Sequence, residues 1–361
     1  MHSLEALGWN SFFAAHLADA NDGTLLPARV CGEGKDIYRL LSEQGEMLAE
    51  ISGRLRFDAA SREDLPAVGD WVAARPAPGG ELAIIHAVLP RRTKISRQAA
   101  GRATGEQILA ANVDTLLVVT SLNRDLNLRR LERYLAMVWE SGARPAVLLN
   151  KADLCDDPAA LLREVEAVAR GVPVHALSAH TGQGLDALGK YLRRGQTVAL
   201  VGSSGVGKTT LLNRLLGREM FAVREVREDD DRGRHATTAR NLVVLPPECP
   251  WEGLVLDSPG MRELQLWCGE EAIEATFEDI AALAAGCRFR DCTHAAEPGC
   301  AVQAAIASGQ LDAGRWENYL KLGREQEYLA RRNNPALEAA HEKKWRKIHQ
   351  QLKQRNKHRL T

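Results

Sequence analysis

The pattern of apolar and polar positions divides the chain into regions with different secondary structure. Between about residue 24 and residue 94, short β-like segments alternate with turns rich in Gly and Pro. Several short strands at close spacing predict a small barrel or sandwich, and the length fits a five-stranded OB-type β-barrel. The predicted strands are Leu25–Val30, Asp36–Leu41, Met47–Ile51, Asp70–Ala74 and Leu82–Val88.

From Asn112 onward, apolar strands alternate with amphipathic helices. This alternation predicts an α/β domain with a mostly parallel sheet and helices on both faces, in which a ligand lies at the carboxyl ends of the strands. The predicted strands are Thr115–Thr120, Pro145–Leu149, Val172–Leu177, Thr197–Val201, Leu242–Leu245 and Leu254–Leu256. The predicted helices are Leu128–Trp139, Pro158–Arg170, Leu185–Leu192 and Thr210–Leu216.

Helical segments are predicted at both ends of the chain. The N-terminal one contains Trp9, Phe12 and Phe13 and has no predicted role, whereas the C-terminal one ends in a helix rich in Lys and Arg after Glu342. The predicted domains are an N-terminal extension at 1–22, the barrel at 23–100, the α/β domain at 101–268 and a helical domain at 269–361.

One stretch of the α/β region carries a phosphate-binding pattern. Gly202-Ser203-Ser204-Gly205-Val206-Gly207-Lys208-Thr209, followed by Thr210, fits G-x-x-x-x-G-K-[ST] between a predicted strand and a predicted helix. In this pattern, backbone N–H groups and the helix N-terminus bind phosphate oxygens, Lys208 bridges the β- and γ-phosphates, and the Thr209 hydroxyl binds Mg²⁺. The chain is therefore predicted to bind a nucleoside triphosphate.

A second set of residues predicts which base is bound. In Asn150-Lys151-Ala152-Asp153, the Asp153 carboxylate can accept two hydrogen bonds from guanine, whereas adenine presents the opposite donor pattern. Asn150 would hold the loop in place, and the aliphatic stem of Lys151 would pack on the base. A backbone N–H of Ser178-Ala179, at the end of the next strand, would bind the guanine carbonyl oxygen.

A third set predicts the contacts to the γ-phosphate and to magnesium. The segment Asp257–Gly260 ends a strand, so Asp257 can reach Mg²⁺ through water and the Gly260 N–H can meet the γ-phosphate. The polar loop before it, from Glu228 to Arg240, offers Thr237 or Thr238 as a further Mg²⁺ ligand, with Thr238 preferred.

The order of these motifs differs from that of most GTPases, in which the phosphate loop comes first. Here Asn150–Asp153 and Ser178-Ala179 precede Gly202. A parallel sheet tolerates this order if the old termini are joined and new ones are opened elsewhere on the surface. The order therefore predicts a circularly permuted GTPase.

Four potential metal ligands cluster in the C-terminal region. Cys287, Cys292, His294 and Cys300 have the spacing C-x4-C-x-H-x5-C. Three thiolates and one imidazole suit a closed tetrahedral zinc site with a structural role, and the alternative is a group of free cysteines beside a surface histidine. The remaining cysteines are expected to be ordinary thiols: Cys31, Cys155, Cys249 and Cys268.

Composition and charge limit which binding partners and which cellular location the sequence predicts. The 361 residues carry a formal net charge of zero, so any contact with nucleic acid depends on local basic clusters. The segment from Arg91 to Arg102 is either an interdomain linker or an RNA-facing strip, and the basic C-terminal helix is either an RNA-binding arm or a solvated helix. The sequence has no secretory signal and no apolar run that could cross a bilayer, which predicts a cytoplasmic protein without membrane contact.

The permuted motif order, Gly202–Thr210, Asp257–Gly260 and the Cys287–Cys300 pattern behind an N-terminal barrel together resemble the RsgA family of bacterial GTPases. The resemblance implies an OB barrel, a GTPase domain that uses Mg²⁺ with GTP, and a domain with one structural Zn²⁺. It also implies slow GTP hydrolysis that the small (30S) ribosomal subunit stimulates, and a role in late maturation of that subunit through its 16S rRNA. The protein is expected to be a monomer.

Two other functions are open on the sequence alone. The chain could be a nucleotide-driven switch for a protein partner, with the barrel as the protein-binding module. It could also be a phosphotransferase that uses the same phosphate loop. Asn150–Asp153 argues against the second alternative, because guanine specificity in the donor is unusual for small-molecule kinases.

The residue that positions the attacking water differs from the one that many GTPases use. Many GTPases place a Gln directly after D-x-x-G, where this chain has Met261. The resemblance implies a His of the preceding loop instead, and the matching residue is His235; the alternative is that His235 contacts RNA or solvent. Ala236 stands where much of the family has Thr, which leaves the choice between Thr237 and Thr238 open.

We predict that His235→Ala lowers subunit-stimulated GTP turnover and leaves GDP affinity unchanged, because the imidazole would act on water and not on the nucleotide. Turnover is measured by phosphate release with purified small subunits, and affinity by titration with labelled GDP. Unchanged stimulated turnover would remove His235 from the mechanism.

Overall fold

A computed structural model of the chain describes residues 2–20, 23–77, 82–98, 106–122, 126–217, 240–257 and 269–333, together with residues 339 and 343. The chain divides into two compact units, Met1–Leu266 and Trp267–Thr361. The first unit contains the barrel and the α/β sheet, and the second is helical. The finer division at residues 22, 100 and 268 stays a prediction.

Five strands of the first unit close into a barrel. They are β1 (Leu26–Glu33), β2 (Tyr38–Ser42), β3 (Gly45–Ile51), β4 (Trp71–Pro76) and β5 (Leu82–Val88). The strands pair in the order β1-β2-β3-β5-β4, and β4 returns to β1. Side chains without solvent exposure fill the interior, among them Val30, Leu40 and Ile85. The predicted OB-type barrel is confirmed, with strand ends shifted by a few residues. Helix α1 (Ser11–Ala20) precedes the barrel, and helix α2 (Gly53–Asp58) and a 3₁₀ turn (Arg62–Asp64) connect β3 to β4.

The N-terminal extension packs against the barrel. Leu7 and Phe13 are buried, and the ring of Trp9 meets Trp71 of β4 edge-on with ring centroids 4.8 Å apart. Phe13 lies 5.8 Å from the same Trp71 ring. The extension therefore adds apolar cover to the barrel. The sequence did not indicate this role, because helix α1 is only weakly amphipathic and the aromatic partner, Trp71, lies far away in the sequence.

A buried arginine links the extension to the barrel and to the chain that follows. Arg29 of β1 is 1% exposed, and its guanidinium donates to the carbonyls of Leu7, Gly69 (3.3 Å) and Asn112 (3.0 Å). Burial lowers the pKa of Arg29 to about 10, against the opposing effect of two carboxylates, so the side chain stays charged at neutral pH.

The basic segment after the barrel forms a β-hairpin and not a simple linker. Strand β6 (Lys94–Gln98) pairs with β7 (Glu106–Ala111) in a separate two-stranded sheet. The sequence did not indicate this hairpin, because in β6 only Ile95 is a buried apolar residue.

Three basic residues of this segment are engaged within the protein. Arg91 donates to both carboxylate oxygens of buried Asp70, at 2.8 and 2.7 Å. The Nζ of Lys94 lies 2.7 Å from Oε2 of Glu106. In addition, Arg97 donates to the side chain of Gln107 at 3.1 Å. These contacts weaken the interpretation of the segment as an RNA-facing strip.

Six further strands of the first unit form the α/β sheet. They are β8 (Thr115–Ser121), β9 (Arg144–Asn150), β10 (Val174–Ala176), β11 (Thr197–Val201), β12 (Asn241–Val244) and β13 (Leu254–Asp257). Their order is β10-β9-β8-β11-β13-β12, and every neighbouring pair is parallel except β12 with β13. The predicted mostly parallel sheet is confirmed.

Helices cover both faces of this sheet. They are α3 (Leu128–Ser141), α4 (Pro158–Val168) and α5 (Lys208–Leu216), with 3₁₀ helices at Ala152–Leu154 and Leu185–Lys190. Leu211 and Leu215 of α5 pack with Leu117 and Val198 in the apolar core of one face, and α3 packs on β8 and β9 from the other. The helix predicted at Leu185–Leu192 is present as a 3₁₀ helix over Leu185–Lys190, and Gly189 disfavours the α-helical form there. Strand β10 is shorter than predicted.

The barrel and the α/β sheet share a strand edge. Strand β12 pairs with β13 on one side and with β1 on the other, where Asn241 lies opposite Gly32. The guanidinium of Arg39 donates to Asn241 Oδ1 across this junction. The two sheets are therefore one continuous sheet of 11 strands.

The described part of the second unit contains the helices α6 (Glu270–Thr276), α7 (Glu278–Ala284), α8 (Ala301–Ala307) and α9 (Ala313–Asn333). Phe277 is fully buried between its helices, and Arg315 donates to both oxygens of the Asp279 carboxylate, at 3.0 and 2.7 Å. Of the basic residues after Glu342, only Lys343 is among the described residues. Within the described ranges, no helix combines the length and apolar character that crossing a bilayer requires.

Candidate nucleotide-binding and metal sites

The phosphate loop between β11 and α5 requires glycine where it approaches neighbouring strands. Gly202 and Gly207 have φ angles of 147° and 94°. A Cβ on Gly202 would lie 2.1 Å from the Val119 carbonyl oxygen, and one on Gly207 would lie 2.2 Å from Asn150 Nδ2. Because strands β8 and β9 hold the loop this closely, its backbone N–H groups are preorganised to bind phosphate. The other loop residues are Ser203, Ser204, Gly205 and Val206, of which Val206 is buried.

Lys208 begins α5 and extends back over the loop. The side chain is 8% exposed, and its ammonium donates to the carbonyls of Gly202 (2.6 Å) and Ser203. Thr209 and Thr210 follow at the same helix end and are half-buried. A lysine ammonium and a helix N-terminus at one place favour binding of a phosphate chain.

The Asn150 side chain joins three segments that are far apart in the sequence. It ends β9, donates from Nδ2 to the Val206 carbonyl at 2.8 Å, and accepts the Ala179 N–H on Oδ1 at 2.9 Å. The predicted base-recognition loop therefore lies beside the phosphate loop, although it precedes it in the chain.

The next residues form a short turn at the rim of the site. Lys151 adopts a left-handed backbone conformation with φ of 63° and is half-buried. The 3₁₀ turn of Ala152–Leu154 follows, and it exposes Asp153. The Asp153 carboxylate is therefore accessible to solvent, and its contact with guanine stays a prediction.

The Ser178-Ala179 segment is buried and internally hydrogen-bonded. The Ser178 N–H donates to the Gln183 carbonyl at 2.9 Å, and the Ala179 N–H donates to Asn150. Both N–H groups thus have partners within the protein. The expected contact of this segment with the guanine carbonyl stays a prediction, and the structure gives the segment a second role in holding Asn150.

Asp257 is the third part of the predicted nucleotide site, after the phosphate loop and the Asn150 segment. It is the last residue of β13, is 9% exposed, and lies one strand away from the phosphate loop, because β13 pairs with β11. The carboxyl ends of β9, β11 and β13 therefore bring Asn150, the phosphate loop and Asp257 to one edge of the sheet.

A separate cluster in the second unit can hold a metal ion. The ligand atoms of Cys287, Cys292, His294 and Cys300 all lie within 4.8 Å of one another. The His294 Nδ1 is 3.5 Å from the sulfur atoms of both Cys287 and Cys300. Backbone N–H groups also point at the sulfurs, with Ala301 donating to Cys287 at 3.3 Å. Burial opposes ionisation of Cys287, but such N–H donors bring its pKa below the ordinary value.

Glu297 organises the loop that carries these ligands. Its carboxylate accepts N–H groups from Thr293 (3.0 Å), Ala295 (3.0 Å) and Ala296 (3.1 Å), and it also bonds the Thr293 hydroxyl. The hydroxyl and N–H donors of Thr293 contribute most to lowering the Glu297 pKa to about 2. The sequence did not indicate this role, because the partners of Glu297 are backbone N–H groups and one nearby hydroxyl.

Comparison with known proteins decides the family. The sequence profile of the RsgA GTPase family matches residues 88–267. The "small ribosomal subunit biogenesis GTPase RsgA" of Opitutus terrae is 50% identical over 357 residues, which is 96% of this chain and 96% of that protein. The chain belongs to the RsgA family. A protein of the same name from Methanosarcina acetivorans is 43% identical and covers 97% of this chain and 92% of its own. As an RsgA family member, the protein is a GTP hydrolase.

Two solved structures share the fold of this chain. YjeQ from Thermotoga maritima matches 84% of this chain and 98% of its own, with a TM-score of 0.62 and 25% identity. YloQ, described as a circularly permuted GTPase, matches 85% of this chain and 97% of its own, with a TM-score of 0.59 and 22% identity. The predicted circular permutation is confirmed.

Several predicted residues of the RsgA site lie outside the described residues. His235, Thr237 and Thr238 fall within 218–239, and Gly260 and Met261 fall within 258–268. Their roles in water positioning, Mg²⁺ binding and γ-phosphate binding stay predictions.

One arginine at the phosphate loop was not predicted. Arg130 of α3 donates from Nη1 to Ser203 Oγ at 2.7 Å. The helix begins here because Asn127 caps it, accepting the Arg130 N–H at 3.0 Å. A guanidinium beside the loop adds positive charge near bound phosphate. No motif indicates this contact, since its partners are 73 residues apart.

We predict that Arg130→Gln and Ser203→Ala each weaken GDP binding by about tenfold. A hydrogen bond from a charged donor contributes about 1.5–3 kcal/mol, and about 1.4 kcal/mol corresponds to tenfold in affinity. Affinity is measured by titration with labelled GDP, and Arg163→Gln on the exposed side of α4 is the control. The double variant should lose less affinity than the sum of the two single losses, because each single variant already removes the shared contact. Losses that add in the double variant would contradict this contact as their cause.

Proposed function

We propose that the protein hydrolyses GTP when stimulated by the small (30S) ribosomal subunit, and that it assists late maturation of that subunit through contact with 16S rRNA. It acts in the cytoplasm, where ribosomal subunits are assembled, and as a monomer. Support for the partner comes from a relative named small ribosomal subunit biogenesis GTPase, which is 50% identical over 96% of this chain.

The observation that carries the proposal is the shared strand β12. It begins one residue after the segment 218–239, pairs with the strand that ends in Asp257, and pairs with β1 of the barrel. OB-type barrels commonly bind oligonucleotides, although the fold alone does not establish this. A barrel in contact with rRNA would be connected through one strand to the nucleotide site.

Arg240 strengthens this connection. The side chain precedes β12 and donates from Nη1 to Glu33 Oε2 at 3.0 Å and to the Ile108 carbonyl at 3.0 Å. Glu33 ends β1 of the barrel, and Ile108 lies in the hairpin strand β7. One guanidinium therefore joins the start of β12 to the barrel and to the hairpin.

In the proposed GTP complex, loop N–H groups and Lys208 bind the phosphates, and Asp153 selects guanine. Mg²⁺ is bound by the Thr209 hydroxyl and by Asp257 through water, with Thr238 or Thr237 as the further ligand. The closeness of the Asn150 side chain to the phosphate loop supports this single-pocket arrangement.

We predict that purified small subunits raise the rate of GTP hydrolysis, and that increasing salt abolishes the effect because rRNA contacts release counter-ions. Arg240→Gln should reduce the stimulation severalfold and leave the unstimulated rate unchanged, because it loosens the connection to the barrel. Arg163→Gln is again the control. If small subunits did not raise the rate of GTP hydrolysis, the proposed function would be contradicted. If Arg240→Gln left the stimulation intact, the proposed connection between the barrel and the nucleotide site would be contradicted.

We further propose that Cys287, Cys292, His294 and Cys300 hold one structural Zn²⁺. Three sulfurs and one nitrogen within 4.8 Å match the donors and spacing that tetrahedral zinc requires. With four protein ligands, the ion has no open position for substrate, so its role is to stabilise the second unit.

We predict one zinc ion per chain by elemental analysis, and loss of most of it in Cys292→Ser. The variant should lose helical circular dichroism and become sensitive to protease in the second unit, because metal binding stabilises the fold. Cys155→Ser, which changes a half-buried thiol of the first unit, should keep its zinc. Full zinc content and an intact second unit in Cys292→Ser would contradict the assigned ligand set.

A further inference from the structure

A cavity of about 370 Å³ lies at the opposite ends of the α/β strands from the nucleotide site. Asp114 precedes β8, Arg144 begins β9 and Gln196 precedes β11, and all three line the cavity. The rest of the wall comes from the N-terminal extension, from the barrel, including Trp71, and from the segments that flank the β6–β7 hairpin and follow α3. The volume is sufficient for a small ligand.

The lining carries an excess of positive charge. Its charged residues are Arg29, Arg92, Arg144 and Asp114. The Asp114 carboxylate already accepts the backbone N–H of Thr197 at 2.8 Å. Among the described residues, neither Arg92 nor Arg144 forms an ion pair, and the only side-chain partner of Arg144 is Gln196 at 3.1 Å.

Arg29 is the buried member of this group. It is 1% exposed and bonds three backbone carbonyls, yet it forms no ion pair with any residue that the structure describes. Burial of a guanidinium is unfavourable unless other groups compensate its charge, and the carboxylates of Asp114 and Asp70 compensate that of Arg29 in part, without direct contact. The wall of the cavity therefore presents a fixed positive charge, with two more arginines nearby.

The chemistry of these side chains identifies the ligand class. The planar guanidinium of arginine can donate two parallel hydrogen bonds to a carboxylate or to a phosphate. Several arginines around one space favour phosphate over carboxylate, because phosphate carries more negative charge. We propose that this cavity binds a small phosphate-type oxyanion between Arg29, Arg92 and Arg144. The anion is either inorganic phosphate or the 5′-phosphate of a short RNA strand, which share this chemistry. The proposed site is separate from the phosphate loop and goes beyond the proposed function.

The test uses the full chain with saturating GDP and Mg²⁺, so that the phosphate loop is occupied. Labelled inorganic phosphate is titrated by equilibrium dialysis, and a 5′-phosphorylated oligoribonucleotide is titrated separately against the same strand without its phosphate. We expect one anion per chain. In Arg92→Gln/Arg144→Gln the affinity should fall at least tenfold, while GDP binding and circular dichroism stay unchanged.

The matched control is Arg163→Gln/Arg324→Gln, which removes the same charge from exposed positions elsewhere. Binding of inorganic phosphate, or of the oligonucleotide only when it carries its 5′-phosphate, supports the proposal if the cavity variant alone loses it. The proposal is overturned if neither inorganic phosphate nor the 5′-phosphate contributes to binding, or if the cavity variant binds as tightly as the control variant.

Discussion

The side chain of Asn150 is the contact on which the nucleotide site depends. One amide donates to the phosphate loop at Val206 and accepts from the segment at Ala179. Each bond is formed by a buried group, so loss of the amide would leave a carbonyl and an N–H unsatisfied in the interior. Because Gly207 has no Cβ, the amide can approach the loop closely. The circular permutation is tolerated for the same reason, since the site needs these groups together in space and not in a particular chain order.

A second constraint is the shared strand β12. An edge strand of a sheet normally presents unpaired backbone groups, and here β12 lies between β13 of the nucleotide site and β1 of the barrel. Arg39 and Arg240 both reinforce this junction with side-chain hydrogen bonds. The barrel is consequently more than an attached binding module, because its first strand continues the sheet that ends in Asp257.

Arginines have three different roles in the first unit. Arg91 is paired with the buried carboxylate of Asp70. Burial raises the pKa of Asp70, and the hydrogen bonds from Arg91 oppose this effect without cancelling it. Arg130 touches the phosphate loop, and Arg29 holds the N-terminal extension by its carbonyls. These residues look alike in a sequence. Their roles differ because burial and the nature of the acceptor differ, and both are properties of the folded chain.

The sequence by itself determined the barrel, the parallel sheet, the permuted GTPase order and the RsgA family, because period-two apolar strands and spaced Gly, Lys, Asp and Cys residues are local signals. It also identified Lys208 and the four residues of the metal cluster, whose ligand atoms the structure brings within 4.8 Å. Only the tertiary structure decided the roles of the N-terminal aromatic residues, the β6–β7 hairpin, Arg130, Arg240 and the arginine-lined cavity. Each of these depends on contacts between segments distant in sequence, and a local pattern of residues carries no information about which distant segment will pack against it.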